Sequence, residues 1–226
     1  MNTHLLRVAL AFLAPLSTPA ILLAQSTPPA NSAEIEAAYT MAIEKRTEAI
    51  IQELAVNDPA KQARLHDVIT NQYRSLRSRD ETIETKLKAS GKDASANADR
   101  AMLVQQMSKP LHDQFLAKLS ADLTPEQLEK VKDKMTYNKV KVTYDAYCQI
   151  VPNLSDSDKA KIMELLKVAR DEAIDGGSAD EKTATFQKYK DQINQYLNAH
   201  GHDVAKAYQE WSTKQAKANA AQQPNN

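Results

Sequence analysis

Glycine and cysteine are scarce in this chain, basic residues do not outnumber acidic ones, and each of these features excludes a class of protein. The chain has four glycines, which are too few to form a phosphate-binding loop or a nucleophile elbow in addition to the ordinary turns. Cys148 is the only cysteine, which excludes an internal disulfide and any site built from paired cysteines. Its position between a tyrosine and a glutamine is typical of an inert small hydrophobe. Basic and acidic residues number 29 each, so the chain lacks the basic surplus that nucleic-acid binding requires.

The first 24 residues differ from the remainder in charge and hydropathy. Arg7 is the only charged residue before Glu34, and the segment from Val8 to Leu23 is apolar apart from two hydroxyl residues and two prolines. Such a segment is too short and too interrupted for a membrane span and is typical of a secretory signal peptide. We expect cleavage after Ala24, a periplasmic or secreted protein, and no membrane association after cleavage. An uncleaved N-terminal anchor is the alternative.

The apolar residues of the remaining chain recur every three or four positions, which predicts amphipathic helices. Proline and glycine fall between these periodic segments, where helices begin and end. The pattern predicts an all-α bundle of about seven helices over residues 33–214, after a polar segment at 25–32 and before a disordered tail at 215–226. The predicted helices span 33–54, 59–87, 98–119, a stretch beginning near 125, 155–175, 178–199 and 203–214.

Two details of this prediction concern irregular segments. Pro110 lies inside the third predicted helix, where it removes a backbone donor and is expected to bend the helix near Gln106. From Val140 to Val151 the apolar residues fit either a strand or a helix face. Because the chain offers no second strand to pair with it, we expect a helix or an extended connector.

The clearest local signal is at Leu123–Leu128, where a helix is predicted to begin. Thr124 and Gln127 have the spacing of a reciprocal capping box, and the flanking leucines have that of a hydrophobic staple. Ser178 and Glu181 have the same spacing and predict a second capping box.

Two eight-residue segments have nearly the same pattern of polarity. Gln62–Ile69 matches Lys159–Leu166 at almost every position, and each begins a helix after a capping residue. The match indicates a duplicated helical unit, so that the bundle would consist of two related halves. The alternative, that any two amphipathic helices of similar phase look alike over eight positions, stays open.

Two family resemblances rest on these segments. Leu123–Gln127 carries the Leu-Thr-x-x-Gln motif and resembles the Spy-like family of periplasmic helical chaperones. More of the chain, from Ile35 to Trp211, is similar to an uncharacterised secreted bacterial family, a domain of unknown function. That similarity rests on the blocks Leu-Thr-Pro-Glu-Gln, Lys-Met-Thr-Tyr-Asn, Val-Thr-Tyr-Asp-Ala-Tyr and Lys-Tyr-Lys-Asp-Gln-Ile-Asn-Gln-Tyr-Leu. The resemblance implies an exported helical protein of a kind often encoded beside polysaccharide-degrading systems, and it implies no activity.

The best candidates for ligand binding lie in a segment rich in tyrosine and lysine. Tyrosine and asparagine beside an irregular connector suit a sugar or peptide surface, because the ring packs on apolar faces while the polar atoms form hydrogen bonds. The candidates are Lys134, Tyr137, Asn138, Tyr144 and Tyr147. The competing interpretation, which we favour for Tyr144 and Tyr147, is that these two belong to the core. Trp211 is interpreted as a packing anchor.

Metal binding and catalysis have weak support in the sequence. His200, His202 and Asp203 are the only clustered candidate ligands, and a helix end followed by a glycine turn and a capping aspartate explains them better. His66 and His112 are each expected to be solvated on a helix surface. We therefore predict no catalytic residue, no metal and no cofactor.

These observations support two hypotheses about function. The first is an exported, non-enzymatic binding or chaperone-like protein whose ligand is an unknown protein or carbohydrate, with no nucleic acid. The alternative is an accessory protein or enzyme of extracellular polysaccharide degradation.

Overall fold

The computed structural model describes residues 31–91 and 97–221, and this part of the chain consists of helices and the turns between them. The all-α prediction is confirmed. Eight helices lie in the described part because the ambiguous segment after residue 138 forms a helix of its own. They are α1 (Ser32–Leu54), α2 (Pro59–Ala89), α3 (Asn97–Ser120), α4 (Pro125–Met135), α5 (Lys139–Ile150), α6 (Asp156–Ala173), α7 (Ala179–Ala199) and α8 (Val204–Ala221).

Most helix ends agree with the sequence prediction to within two residues, and one does not. α8 continues to Ala221, so the predicted end near Lys214 is wrong. The segment that follows Lys214 is rich in alanine, glutamine and lysine, all strong helix formers. α3 contains Pro110 as one uninterrupted helix, and its bend stays a prediction. The predicted signal peptide, most of the segment after it and residues 222–226 lie outside the described residues.

Two apolar cores divide the helices into consecutive sets of four. One core contains residues of α1, α2, α3 and α4, and these four helices are here called the first half. The other contains residues of α5, α6, α7 and α8, here called the second half. Within each half the order of packing is the same: the first helix packs on the second and the fourth, and the second packs most extensively on the third. This common arrangement supports a duplicated unit.

The segments that suggested the duplication occupy equivalent places in the two halves. Asp58 caps the N-terminus of α2 and Ser155 caps that of α6. At the same distance from these caps, the side chains of Leu65 and Ile162 are both fully buried, each in the core of its own half. The matched polarity therefore reflects the same burial pattern in both halves.

Each half also has an ionic contact between the start of its second helix and the turn that precedes its fourth. In the first half, Arg64 Nη2 lies 2.7 Å from Asp122 Oδ1. In the second half, Asp158 Oδ2 lies 3.2 Å from His202 Nε2. The acidic and basic partners have exchanged elements and do not occupy equivalent positions, but in each half the contact ties the turn before the fourth helix to the second helix.

The two halves meet around Ile174, which follows α6. Its side chain is fully buried, and it belongs to the core of the first half although it is part of the second. Packing of α4 against α6 extends this contact. Among the described helices, none combines the length and the hydropathy that crossing a membrane requires.

Candidate functional site

The turn between α4 and α5 contains two of the residues that the sequence analysis selected. Tyr137 and Asn138 have φ angles of 59° and 54°, in the left-handed region. Asparagine tolerates this conformation, whereas it is unusual for a tyrosine. The Tyr137 side chain is 42% exposed. The turn therefore displays a tyrosine ring on a strained backbone at the joint between the two halves.

The other three predicted residues point into different parts of the molecule. Lys134 Nζ lies 3.3 Å from Glu53 Oε2 of α1. Tyr144 packs against the second core, and burial followed by the neighbouring Cys148 thiol raises its pKa. Tyr147 is buried, and its hydroxyl lies 2.7 Å from Asn194 Oδ1 and 3.2 Å from the Lys190 carbonyl oxygen.

These five residues do not line a common cleft among the principal clefts of the described part of the chain. The core interpretation of Tyr147 agrees with its burial, although its hydroxyl bonds inside the protein and does not reach the surface. Tyr137 and Asn138 stay the accessible members of the set.

A cleft that the sequence analysis did not select lies on the second half, between the end of α5, the turn after it and α8. Its volume is about 470 Å³. The lining residues include one indole, two amides and charged side chains. They are Cys148, Gln149, Ile150, Val151, Pro152, Asn153, Leu154, Lys159, Ala207, Glu210, Trp211 and Lys214.

A second hollow of about 350 Å³ continues this cleft toward the N-terminus of α8. The two share Val151, Pro152, Asn153, Ala207 and Glu210. The second hollow adds Gly201, His202, Asp203 and Lys206 to the lining. We call the combined surface, lined by the residues of these two hollows, the α8 trench.

Trp211 forms part of the trench wall and also packs against the second core. Its ring centroid lies 6.2 Å from that of Tyr208. Trp211 therefore packs against the core, as predicted, and also lines the trench. The sequence did carry a signal for the trench, because Ala207, Glu210, Trp211 and Lys214 have the spacing of a single helix face.

The histidines near the trench have separate partners. His200 stacks on Tyr196, with ring centroids 4.1 Å apart, and His202 pairs with Asp158. Gly201 has φ +88° and Asp203 accepts a hydrogen bond from the Lys206 backbone N–H, as the turn-and-cap interpretation requires. Within the described residues, no group of three or more histidine, cysteine, aspartate or glutamate side chains is placed to hold a metal ion.

A buried ionic cluster lies between the two halves and was not predicted. Arg79 of α2 is 3% exposed. Its Nη1 donates to Ser108 Oγ at 2.8 Å and to the Asp175 carbonyl oxygen at 2.6 Å, and its Nη2 donates to Asp80 Oδ1 at 2.7 Å. One guanidinium thus joins α2, α3 and the turn after α6. A β-carbon on Gly177 would overlap the Asp80 carboxylate, so any other residue there would have to displace that carboxylate from Arg79.

Three further titratable groups, the side chains of His112, Asp175 and Lys182, complete the cluster. His112 Nδ1 lies 3.0 Å from Asp175 Oδ2, so His112 is paired across the halves and the expectation that it is solvated is wrong. Burial raises the pKa of Asp175. Lys182 Nζ donates to the carbonyl oxygens of Ala173 and Ile174, both at 3.2 Å, and burial lowers its pKa to about 8. His66 also has a partner, with Nε2 2.8 Å from Glu44 Oε2.

A second arginine joins the halves on the other side of Ile174. Arg170 of α6 is 3% exposed, and its Nη1 donates to Asp133 Oδ1 of α4 at 2.9 Å, while Nη2 pairs with Glu129. Buried pairs of this kind fix the relative position of two elements, since removing one partner leaves an uncompensated charge. The clusters around Arg79 and Arg170 are therefore best explained as joints between the halves. The accessible chemistry lies in the α8 trench.

The sequence pattern of a protein family matches most of the chain, over residues 40–218: protein of unknown function (DUF3826). The chain belongs to this family. The predicted similarity to an uncharacterised domain of unknown function is thereby confirmed. The DUF3826 region includes most of both halves, the ionic joints and the whole α8 trench. No curated protein matches the chain.

Proposed function

We propose that this protein is an exported binding protein without enzymatic activity of its own, and that the α8 trench is its ligand site. The trench itself carries this proposal. It combines an indole, amides and several charged side chains in an accessible hollow, the usual composition of a site that holds a ligand by stacking and by a few polar contacts. The apolar leader supports export.

The same features favour a specific ligand over the unfolded clients of a chaperone. Within the described ranges, the exposed large apolar residues come from α1, α3, α5, α6 and the turn before α5: Ile35, Met41, Met102, Tyr137, Val142 and Val168. A general chaperone needs a broad contiguous apolar surface. The balanced charge of the chain also gives little electrostatic attraction for varied clients.

The test is a thermal-shift screen of the mature protein against a library of oligosaccharides, peptides and metabolites. A hit should raise the melting temperature and change the fluorescence of Trp211, the single tryptophan. Glu210→Phe fills the middle of the trench and should weaken binding at least tenfold. Glu48→Phe places the same bulk in the groove of the first half and should leave affinity unchanged.

Two results would contradict the proposal. If a ligand has the same affinity for Glu210→Phe and for the unmodified protein, it binds elsewhere, and the trench is not the ligand site. If no compound in the library binds, the proposed binding function is refuted as a whole.

A second candidate, an accessory role in polysaccharide degradation, is favoured by one observation: Trp211, Gln149 and Asn153 all line the trench. An indole face with neighbouring amides suits a sugar ring and its hydroxyls. Incubation with polysaccharides should give complexes on native gels and no new reducing ends by product chromatography. New reducing ends from the protein alone would identify it as an enzyme instead.

A further inference from the structure

The two halves have the same packing but differ at the surface of their last helix. Counted from the N-cap of each helix, Val131 and Met135 of α4 correspond to Glu210 and Lys214 of α8. Val131 and Met135 are buried in the core of the first half, whereas Glu210 and Lys214 line the open trench. A face that core packing closes in one half is therefore open and charged in the other.

The second helices differ in the same way. Gln62 of α2 corresponds to Lys159 of α6, counted from the two N-caps. The Gln62 side chain donates to the Val56 carbonyl oxygen and is used to hold its own turn. Lys159 lines the trench, and its single ion pair among the described residues is a long contact of 3.8 Å between Nζ and Asp156 Oδ1. The second half thus has trench lysines, Lys159 and Lys214, at two positions where the first half has Gln62 and Met135.

The lysines of the trench are free to meet an anion. Lys206 Nζ lies 3.9 Å from Glu210 Oε1, an exposed and weak pair. Lys214 makes no ion pair with any other described residue. Lys159 has the long contact described above. An anionic group that enters the trench would therefore replace few existing interactions, and it would meet three lysines against two carboxylates, Asp203 and Glu210.

The remaining lining indicates which kind of anion fits. Trp211 offers a flat apolar face, and Gln149 and Asn153 offer amide donors and acceptors. The trench follows α8 from Asp203 to Lys214, a distance of roughly 16 Å at helical rise, so the ligand is elongated. A chain of hydroxylated rings that carry carboxylates satisfies all of these features.

We propose that the α8 trench binds an acidic oligosaccharide, with uronate carboxylates facing Lys159, Lys206 and Lys214 and one sugar ring on Trp211. This inference rests on the proposed function and adds the ligand class to it. The test is calorimetric titration of the mature protein with an α-1,4-linked oligogalacturonate. The fully methyl-esterified form is the uncharged control ligand, and oligoglutamate of equal charge is the control ligand without sugar rings.

The oligogalacturonate should bind, and its affinity should fall as salt rises. Lys214→Gln should weaken binding about tenfold, and Trp211→Phe should weaken it by a smaller factor at unchanged salt dependence. Lys130→Gln, an exposed lysine of the first half, is the control and should have no effect.

Each other outcome is decisive. Equal affinity for the esterified form would refute the role of the carboxylates, and equal affinity for oligoglutamate would refute the role of the sugar. If the oligogalacturonate does not bind but the library screen finds another ligand of the trench, the proposed ligand class is refuted and the proposed binding function is retained.

Discussion

Tyr147 and Tyr137 belong to the same tyrosine-rich segment, yet one is in the core and the other on the surface. Tyr147 lies on the face of α5 that also carries Val140, Thr143 and Ile150, all buried. Tyr137 precedes that helix and is held in a left-handed turn. Helical periodicity anticipated the burial of Tyr147. The left-handed turn has no comparable signal, because tyrosine is a residue that rarely adopts it.

Tyr147→Phe tests how much the buried hydroxyl contributes. The substitution keeps the ring and leaves Asn194 Oδ1 without its donor, so it should lower the free energy of unfolding by about 1–2 kcal/mol. The measurement is the denaturant midpoint at unchanged m-value. Tyr137→Phe, at an exposed ring, is the control and should be neutral within experimental error. A neutral Tyr147→Phe would mean that the buried hydroxyl contributes nothing.

Lys182 gives the fold a pH dependence of known sign. Burial lowers its pKa to about 8, so between about pH 8 and pH 10 the unfolded chain binds more protons than the folded one. The contribution of Lys182 to the free energy of unfolding therefore rises with pH in this window. The charged groups that act on Lys182 are Asp175 and Glu181, which oppose the shift, and Arg46 and Arg79, which add to it.

The measurement is the difference in unfolding free energy between the unmodified protein and Lys182→Met from about pH 8 to pH 10. The unmodified protein should gain up to roughly 2 kcal/mol relative to the variant. Taking the difference removes the titration of groups common to both proteins. Lys45→Met, at an exposed lysine, should show no such difference. A flat difference for Lys182→Met would show that Lys182 titrates alike in both states.

Among the elements, α4 is the one whose start the sequence defines best. The capping box of Thr124 and Gln127 is present as predicted. Gln127 has an additional role, because its Nε2 donates to the Leu54 carbonyl oxygen at the end of α1 at 3.0 Å. The second predicted box is only half formed. Ser178 accepts from the Glu181 N–H, but the Glu181 carboxylate accepts from Gly177 N–H instead of the cap.

This double role predicts unequal effects at the two positions of the box. Thr124→Ala should cost about 1 kcal/mol of unfolding free energy, the usual value of an N-cap. Gln127→Ala should cost more, by about another 1 kcal/mol, because it also frees the Leu54 carbonyl. Denaturant unfolding of the two single variants and the double variant measures both terms. Equal costs at the two positions would show that the contact with α1 contributes nothing.

For the whole molecule, the sequence predicted the helical class and most helix positions, left the repeat open between two interpretations, and did not predict how the halves join. Arg79 and Asp175 are 96 residues apart, and His112 and Asp175 are 63 apart. No local pattern distinguishes such charged residues from solvated ones. The trench could not be predicted for the same reason. The sequence shows the face of α8 that lines it but not which turn packs opposite that face. Long-range placement is what the sequence alone lacks.

The position of Ile174 predicts that the halves unfold together. Ile174→Ala should cost about 2–4 kcal/mol, because it opens a cavity in the core of the opposite half. Fluorescence of Trp211 reports on the second half alone, and circular dichroism reports on all helices. In the unmodified protein the two transitions should coincide. A fluorescence transition separate from that of circular dichroism would mean that the halves are independent.

The exposed thiol of Cys148 lies in the wall of the α8 trench, and the chain holds no other cysteine. A maleimide-coupled dye or a nitroxide would therefore attach at one place, in the wall of the trench, without any engineered residue. Binding of a ligand in the trench would then change an optical or paramagnetic signal of the labelled protein.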